Sequence, residues 1–315
     1  MVSRFGLDKV NLYLRQMAVS EYAAAQRSLG NRVCERGGAY WIRVRPFFFR
    51  PVLPYEALAT ERSGKSPPYP WDGYQHVVNM SDAANSVMHF RFFNHAQQYE
   101  LKRLGSDWRR LVRIASRKYV VKPIRDLAEF KDLGYKAYLS FFGRTSYQYM
   151  AERTEREKFA CWAENLFGLA KVNLLGGYGP TGLSAISVSY WIKDTLVYST
   201  FFSDTHSLRD HVCDLMLHSL RELAAATPGI EQIYAGTFQG GTGPDKYYIL
   251  RGCQWVKKPA IYRIPFVVRL ALRAFMPTQF QKLIGYFPIE GQMIGQSAGS
   301  ENSGCDAERR PYSNT

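Results

Sequence analysis

The amino-acid sequence predicts an α/β fold organised around a mixed β-sheet. Between residues 171 and 202 the apolar positions alternate with a period of two, and two turn-forming segments divide this stretch into three antiparallel strands. A helical pattern from 207 to 226 follows and ends at Pro228. The apolar run at 230–235 is then reached through a helical crossover, which normally places a strand parallel to its partner. An antiparallel meander joined to a parallel strand makes a mixed sheet.

Residues 1–94 are predicted to form an α/β region of their own. Apolar side chains at helical spacing indicate a helix over 7–28. Residues 40–53 have strand character, and the prolines in and beside this stretch limit its length and favour an edge position. The composition of 60–73 is typical of a loop.

The next part of the chain is predicted to be mainly helical. A long basic helix is expected over 94–118, followed by a brief strand over 119–123. Asp126 and Glu129 have the spacing of a capping box, which predicts a helix from Asp126 to about residue 142. Another helix is expected over 152–167.

The C-terminal part begins with the strand at 230–235. A glycine-rich loop then leads into a short helix that carries Tyr248 and ends at Gly252, before a strand over 255–264. The main domain is therefore assigned to 95–264. A basic amphipathic helix is predicted over 265–290, and the glycine, serine, asparagine and charged residues of 291–315 are typical of a disordered tail.

The composition bounds the compartment and the class of partner. The formal net charge is +14, which favours an anionic partner such as nucleic acid, a phosphorylated cofactor or an acidic membrane, while solubility alone is the simpler explanation. Five scattered cysteines argue against a disulfide framework or a zinc site. His211, Asp214 and His218 share a helix face but lack further ligands, so no metal is expected. Without a signal peptide or membrane span, we expect a cytoplasmic protein.

The order of elements from 119 to 264 resembles the GNAT acyltransferase fold. The segment Tyr248 to Cys253 resembles the tyrosine-x-x-x-glycine-aromatic motif of that superfamily, with Cys253 in place of the aromatic residue. The basic helix before the first strand and the long N-terminal region resemble the FemAB-like branch, in which two GNAT lobes pair. On this resemblance, residues 1–94 are a partial, truncated second lobe.

The resemblance implies where an acyl donor lies. Backbone N–H groups of the strand over 197–200 would polarise the donor carbonyl, and the start of the following helix would hold an anion. The implied donor-contacting residues are Val197, Tyr198, Ser199, Thr200, Ser207, Leu208 and Arg209. Simple helix capping by Asp204, Thr205 or Ser207 is the alternative explanation of this turn. Because the family's glycine-rich CoA loop is absent here, both acyl-CoA and aminoacyl-tRNA stay open as donors.

Two side chains are predicted to move protons. A tyrosine with an ordinary pKa near 10 is protonated at neutral pH, so Tyr248 is predicted as the general acid. A merely packed tyrosine, with Tyr247 pointing inward instead, is the alternative. His206 is predicted as the base, with His211, Asp204 and Asp245 as alternatives.

The acceptor is predicted to contact two loops. Residues between the two helices line the acceptor groove in the GNAT pattern, and a glycine-rich loop permits close backbone approach to a ligand. The implied acceptor-contacting residues are Arg144, Thr145, Tyr147, Gly240, Gly241 and Asp245. The alternative is that both segments are ordinary loops and that Thr145 caps a helix.

Together these features predict an N-acyltransferase. It would move an acyl or aminoacyl group from a thioester or aminoacyl ester to an amine acceptor, such as an amino sugar or another cell-envelope precursor. The 265–290 helix suits peripheral contact with an anionic inner membrane face, or else packs on the core with solvated arginines. An RNA-binding protein that uses the basic face of 94–118, or a scaffold without catalysis, is the alternative function.

Overall fold

The structure is a computed structural model that describes residues 14–58, 72–79, 84–145, 150–238 and 243–283. Its strands make one large sheet with the order β2-β3-β4-β5-β12-β6-β11-β10-β9-β8-β7, and β1 pairs with β9. The strands are β1 Gln16–Met17, β2 Val33–Arg36, β3 Ala39–Arg45, β4 Phe48–Pro51, β5 Gly73–Val77, β6 Ser86–Phe93, β7 Val120–Pro123, β8 Val172–Gly179, β9 Gly182–Ile192, β10 Thr195–Ser203, β11 Gln232–Thr237 and β12 Gln254–Arg263.

Helices cover both faces of this sheet. They are α1 Val19–Ser28, α2 Ser106–Ala115, α3 Leu127–Glu129, α4 Tyr135–Arg144, α5 Arg156–Phe167, α6 Thr205–Arg209, α7 Val212–Ala226, α8 Gly243–Ile249, α9 Phe266–Phe275 and α10 Pro277–Leu283. A π-helical turn, Phe130–Gly134, joins α3 to α4. Both faces of the central strands are therefore buried, which explains why β6 is buried along nearly its whole length.

The predicted mixed sheet is confirmed. Strands β8, β9 and β10 pair antiparallel as a meander, and β11 returns through α6 and α7 to pair parallel with β10. Alternate residues of these strands face opposite cores. Leu175, Leu196 and Ile233 pack beneath α7 and α2, whereas Val197 and Tyr234 pack on the face covered by α1, α4 and α5.

Three predicted elements of the N-terminal half differ from the structure in their extent or continuity. The single helix over 94–118 is two 3-10 turns, Ala96–Gln98 and Leu101–Arg103, followed by α2. His95 has φ 53°, and extended backbone at Leu104 and Gly105 interrupts any continuous helix. The strand over 40–53 is the hairpin of β3 and β4. Within the described part of 7–28, the helix begins only at Val19, after β1.

No element was predicted for 74–93, where the structure places β5 and β6. These two strands are buried on both faces and contain polar residues, so they lack the alternation that marks a half-buried strand. Strand β6 lies between β11 and β12 and pairs with both. The predicted boundary at residue 94 therefore follows a strand that is internal to the sheet.

The helix predicted over 265–290 is two helices within the described chain. Helix α9 ends at Phe275, and α10 begins at Pro277. The break follows from the proline, because its ring disfavours helical backbone at the preceding residue, and Met276 has φ −139°. Residues 284–290 and the predicted tail at 291–315 lie outside the described residues.

Candidate active site

The sheet opens between β10 and β11. These strands share only three pairs, Thr195 with Gln232, Leu196 with Ile233 and Val197 with Tyr234. Beyond Val197, β10 stays paired with β9 as far as Ser203, while β11 continues beside β6. The two parallel strands therefore separate in the middle of the sheet, and their facing backbone groups are free of ladder bonds to each other.

A β-bulge lies where the separation begins. The register of β10 against β9 shifts between Tyr198 and Thr200, which makes Ser199 the extra residue. The extra residue of a bulge is left outside the ladder, so its backbone N–H is available to another acceptor. Ser199 is exposed. The bulge thus presents a backbone donor at the mouth of the separation.

A cavity of about 270 Å³ occupies the separation on the side of the N-terminal strands. It is lined by Val197, Ser199, Tyr234, Thr237, Ile42 and Arg50. Its walls combine apolar and polar surface, and the Arg50 guanidinium supplies a cation, with Nη2 donating to Gln75 Oε1 at 2.8 Å. A larger depression of about 350 Å³ lies beside Pro123 and Asn173 at the far edge of the sheet, and it contacts none of these residues.

Tyr248 lies at the separation on the opposite face of the sheet. Its ring makes an edge contact with Tyr198 of β10, with 6.4 Å between ring centroids, and a similar contact with Phe93 of β6 at 6.2 Å. Burial raises the pKa of Tyr248 to about 12, although the nearby Arg91 guanidinium opposes the shift. Burial also raises the pKa of Tyr198 well above its ordinary value. Two protonated phenols therefore stand together where β10 leaves β11.

Two ion pairs fix helix α8 and its tyrosines. Arg91 of β6 lies 3.3 Å from the carboxylate of Asp245, which is completely buried, and its guanidinium stacks 4.8 Å from the Tyr248 ring centroid. Arg251 donates to Asp214 at 2.5 Å and covers the Tyr247 ring at 3.7 Å. Asp245 therefore anchors the helix through Arg91, and Tyr248 is the tyrosine that contacts β10.

The turn before α6 is closed by its own side chains. The Asp204 carboxylate accepts the Ser207 backbone N–H at 2.8 Å, and the buried Ser207 hydroxyl donates to the Ser184 carbonyl at 3.3 Å. Leu208 and Arg209 are exposed on the same short helix. The capping explanation describes this geometry. A carboxylate at the helix start would repel a phosphate there, so the predicted donor contacts of Ser207, Leu208 and Arg209 gain no support.

The predicted base, His206, lies at the surface and pairs with Asp210 rather than with the phenols. Its side chain is 86% exposed, and its Nδ1 lies 3.6 Å from Asp210. His211 lies 3.8 Å from Asp214. Asp204 caps α6 and Asp245 pairs with Arg91, so both carboxylates have structural partners. The structure brings Tyr248, Tyr198 and the Ser199 bulge together, and it leaves His206 at the surface.

The predicted acceptor residues are only partly described. Arg144 ends α4 and donates to Thr205 Oγ1 and Ser203 Oγ, each at 3.3 Å, so it ties α4 to the start of α6. Thr145 caps the same helix through the Phe142 carbonyl at 3.5 Å. Tyr147, Gly240 and Gly241 lie outside the described residues.

Sequence reasoning missed Arg91 and Arg50. Both come from N-terminal strands and reach the separation only because β4 and β6 join the same sheet. A lone arginine in an apolar strand, as in SVMHFRFF, was the available signal, since a buried arginine normally requires a partner. That signal identifies a paired arginine but not its location.

Comparison with known proteins supports the fold through structure alone. No protein-family model matches the chain. No curated protein matches it either. Among solved structures, FemX aligns with a TM-score of 0.52 at 9% identity, covering 81% of this chain and 93% of FemX. L-PGS from Bacillus licheniformis aligns with a TM-score of 0.50 at 12% identity, covering 86% of this chain and 94% of that one.

A third similar structure is the C-terminal domain of a putative lysylphosphatidylglycerol synthetase from Agrobacterium fabrum. Its TM-score is 0.48 at 11% identity, covering 82% of this chain and 91% of that one. Identities this low report on the fold. The chain has a GNAT-like, FemAB-like α/β fold, as the resemblance in sequence predicted.

Proposed function

We propose that this protein is an N-acyltransferase that moves an acyl or aminoacyl group to an amine acceptor. The single observation that carries the proposal is the separation of β10 from β11 after Val197, with a bulge and two phenols at its mouth. A separated pair of parallel strands leaves room for an extended donor between them. Similarity in fold to FemX and L-PGS agrees with this class of reaction.

The reaction needs a polarised carbonyl and a protonated leaving group. The Ser199 N–H would donate to the donor carbonyl and stabilise the oxyanion that forms when the amine attacks. The carbon–nitrogen bond forms and the bond to the leaving oxygen or sulfur breaks. Tyr248 would give its proton to the leaving atom, with Tyr198 beside it. The attacking amine would lose its proton to water, since His206 lies at the surface, and Tyr248 would regain a proton from water, so charge and protons balance.

The geometry favours an aminoacyl ester over a thioester as the donor. A phenol whose pKa is about 12 can protonate a departing alkoxide, because alcohols are weaker acids than this phenol, whereas thiols titrate near 8.5 and leave as thiolates without such an acid. The carboxylate of Asp204 occupies the helix start where a CoA pyrophosphate would bind. Both observations support aminoacyl-tRNA, and acyl-CoA is the alternative.

A basic surface suited to tRNA lies on α2 and the turn after it. Arg110, Arg113 and Arg117 are exposed, while Trp108 and Val112 pack inward. Three cations on one surface favour contact with a phosphate backbone. The same observation supports the second candidate function, an RNA-binding protein without transfer activity.

An amino sugar or another cell-envelope precursor is the proposed acceptor.

Transfer can be tested directly with labelled donors. The purified chain is incubated with radiolabelled acetyl-CoA or with a labelled aminoacyl-tRNA pool, together with a pool of amine metabolites, and products are identified by mass spectrometry. We expect label to reach an amine from aminoacyl-tRNA. Label moving only from acetyl-CoA would overturn the donor assignment, and binding of RNA without any transfer would favour the RNA-binding alternative.

The role of Tyr248 has a matched control on the same helix. Tyr248→Phe should lower the transfer rate about 10²- to 10⁴-fold, the range expected on loss of a general acid. Tyr247→Phe removes a neighbouring hydroxyl that is buried without a hydrogen-bond partner, so it should leave the rate nearly unchanged. A loss of rate in Tyr247→Phe but not in Tyr248→Phe would make Tyr247 the general acid. Equal rates for both variants and the wild type would contradict general acid catalysis by either phenol.

A further inference from the structure

The helix α9 presents an unusual apolar surface to solvent. None of its ten residues is buried, and Arg269 and Leu272 alone are half-buried. Half of the twelve exposed large hydrophobic residues in the described chain lie within 266–276. They are Phe266, Val267, Val268, Leu270, Phe275 and Met276. Such a concentration of exposed apolar side chains on one short helix indicates a docking site.

The stretch of chain that contains α9 carries only positive charge. The described residues from 254 to 283 contain no acidic residue and six basic ones, Lys257, Lys258, Arg263, Arg269, Arg273 and Lys282. The Arg269 guanidinium lies 5.5 Å from the Phe266 ring centroid, and that of Arg273 lies 4.9 Å from the Phe280 ring centroid. The arginines occupy adjacent turns on one side of the helix, since they are four residues apart. Val267 and Phe275 project on the other side.

This arrangement suits the surface of an anionic bilayer. We propose that α9 docks the protein onto anionic lipid, with its exposed apolar side chains inserted at the headgroup boundary and Arg263, Arg269 and Arg273 contacting lipid phosphates. Amphipathic helices with an apolar face beside basic residues bind in this way. Long arginine side chains reach the headgroups while their stems cover apolar surface. No helix in the described chain is long and apolar enough to cross a bilayer.

The positive charge argues against a second copy of the chain as the occupant. A symmetric pair of α9 helices would bring arginines of both copies together without any acidic partner in 254–283. An anionic bilayer instead supplies many phosphates over a wide, deformable surface. The proposal is independent of the acyl-transfer reaction, since it concerns α9 and its flanking arginines alone.

Vesicle co-sedimentation of the full chain tests the proposal. Vesicles of phosphatidylcholine are compared with vesicles that also contain phosphatidylglycerol. We expect the protein to sediment with the anionic vesicles, to remain in the supernatant with the neutral ones, and to be released by high salt. Equal binding to both vesicle types, or to neither, would overturn the proposal.

Two variants and a matched control locate the contact. Phe275→Asp should lower the affinity for anionic vesicles at least about tenfold, because it removes an inserted ring and adds a repelled charge. Phe47→Asp makes the same change at another exposed phenylalanine (68% exposed against 85%) and should not alter it. Arg269→Gln with Arg273→Gln should lower the affinity about fivefold per arginine. Circular dichroism checks that each variant is folded.

Light scattering tests whether a second copy of the chain, rather than lipid, covers α9. A wild-type dimer that Phe275→Asp converts to monomers, with vesicle binding unchanged, would overturn the proposal in favour of a second copy. Unchanged vesicle binding in both α9 variants would overturn it in favour of contacts elsewhere in the chain. Loss of vesicle binding in both, with the Phe47→Asp variant still bound, supports it.

Discussion

Two strand junctions in the same sheet differ in how completely they are paired. Between β8 and β9, eight residue pairs run from Val172 with Tyr190 to Gly179 with Gly182, whereas β10 and β11 share three pairs and then separate. The first junction has apolar residues packed on both faces. The second carries two phenols and a buried ion pair. Pairing with β9 therefore holds β10 in place, while the edge of β10 that faces β11 beyond Val197 is left free for a ligand.

A large effect is expected from removing the backbone donor where β10 separates from β11. Ser199→Pro deletes the N–H of the bulge residue and should lower the transfer rate about 10²- to 10³-fold, the usual cost of one oxyanion donor. Proline is tolerated at bulges, so the fold should persist. Ser199→Ala keeps the N–H and should transfer at the wild-type rate. A Pro variant as fast as the Ala variant would remove the oxyanion role from the bulge.

At the fully paired β8–β9 junction, the expected effect of a substitution is a lower free energy of unfolding. Leu175 in β8 is completely buried beneath α7, so Leu175→Ala should lower the free energy of unfolding by about 3 kcal/mol through lost burial and a cavity. Leu139→Ala on α4 makes the same change at an exposed position and should cost far less. Urea denaturation measures both. If Leu175→Ala lowered the free energy of unfolding no more than Leu139→Ala, packing at the β8–β9 junction would not be what stabilises this part of the sheet.

A smaller effect concerns pH and the helix that covers both junctions. His218 of α7 is completely buried, and its Nδ1 lies 2.8 Å from the Tyr99 hydroxyl. Burial and the nearby Arg221 cation lower the pKa of His218 from 6.5 to about 4. Below pH 6.5 the unfolded chain therefore binds more protons than the folded chain, so stability falls as pH falls. The expected loss between pH 8 and pH 5 is about 2 kcal/mol.

Chemical denaturation at several pH values checks this sign. The His218→Asn variant lacks the titrating ring and should lose less stability between pH 8 and pH 5 than the wild type, whatever its absolute stability. A wild type whose stability rises over this range as pH falls, or a variant with the same pH dependence, would show that His218 is not the responsible group. Burial also raises the pKa of Glu222, which lies 3.5 Å from His218 Nε2, and the variant separates the two contributions.

Local pattern predicted some elements well and others poorly. The meander was found because one residue in two is apolar from Lys171 to Phe202 and turn residues divide the strands. The basic segment at 94–118 was mistaken for one helix because its apolar spacing continues through residues whose backbone is extended. The phenol at Tyr248 was correctly located on a short helix, yet its contact with Tyr198 depends on where β10 turns away from β11.

The sequence by itself determined the mixed sheet, the parallel crossover onto β11 and the helix that carries Tyr248, because these follow from hydrophobic period, turn residues and chain connectivity. Tertiary structure alone decided that β6 enters the sheet beside β11, that Arg91 and Arg50 reach the separation, and that α9 keeps its apolar side chains exposed. These outcomes depend on pairing and packing between residues far apart in the chain, and a local pattern carries no information about such partners.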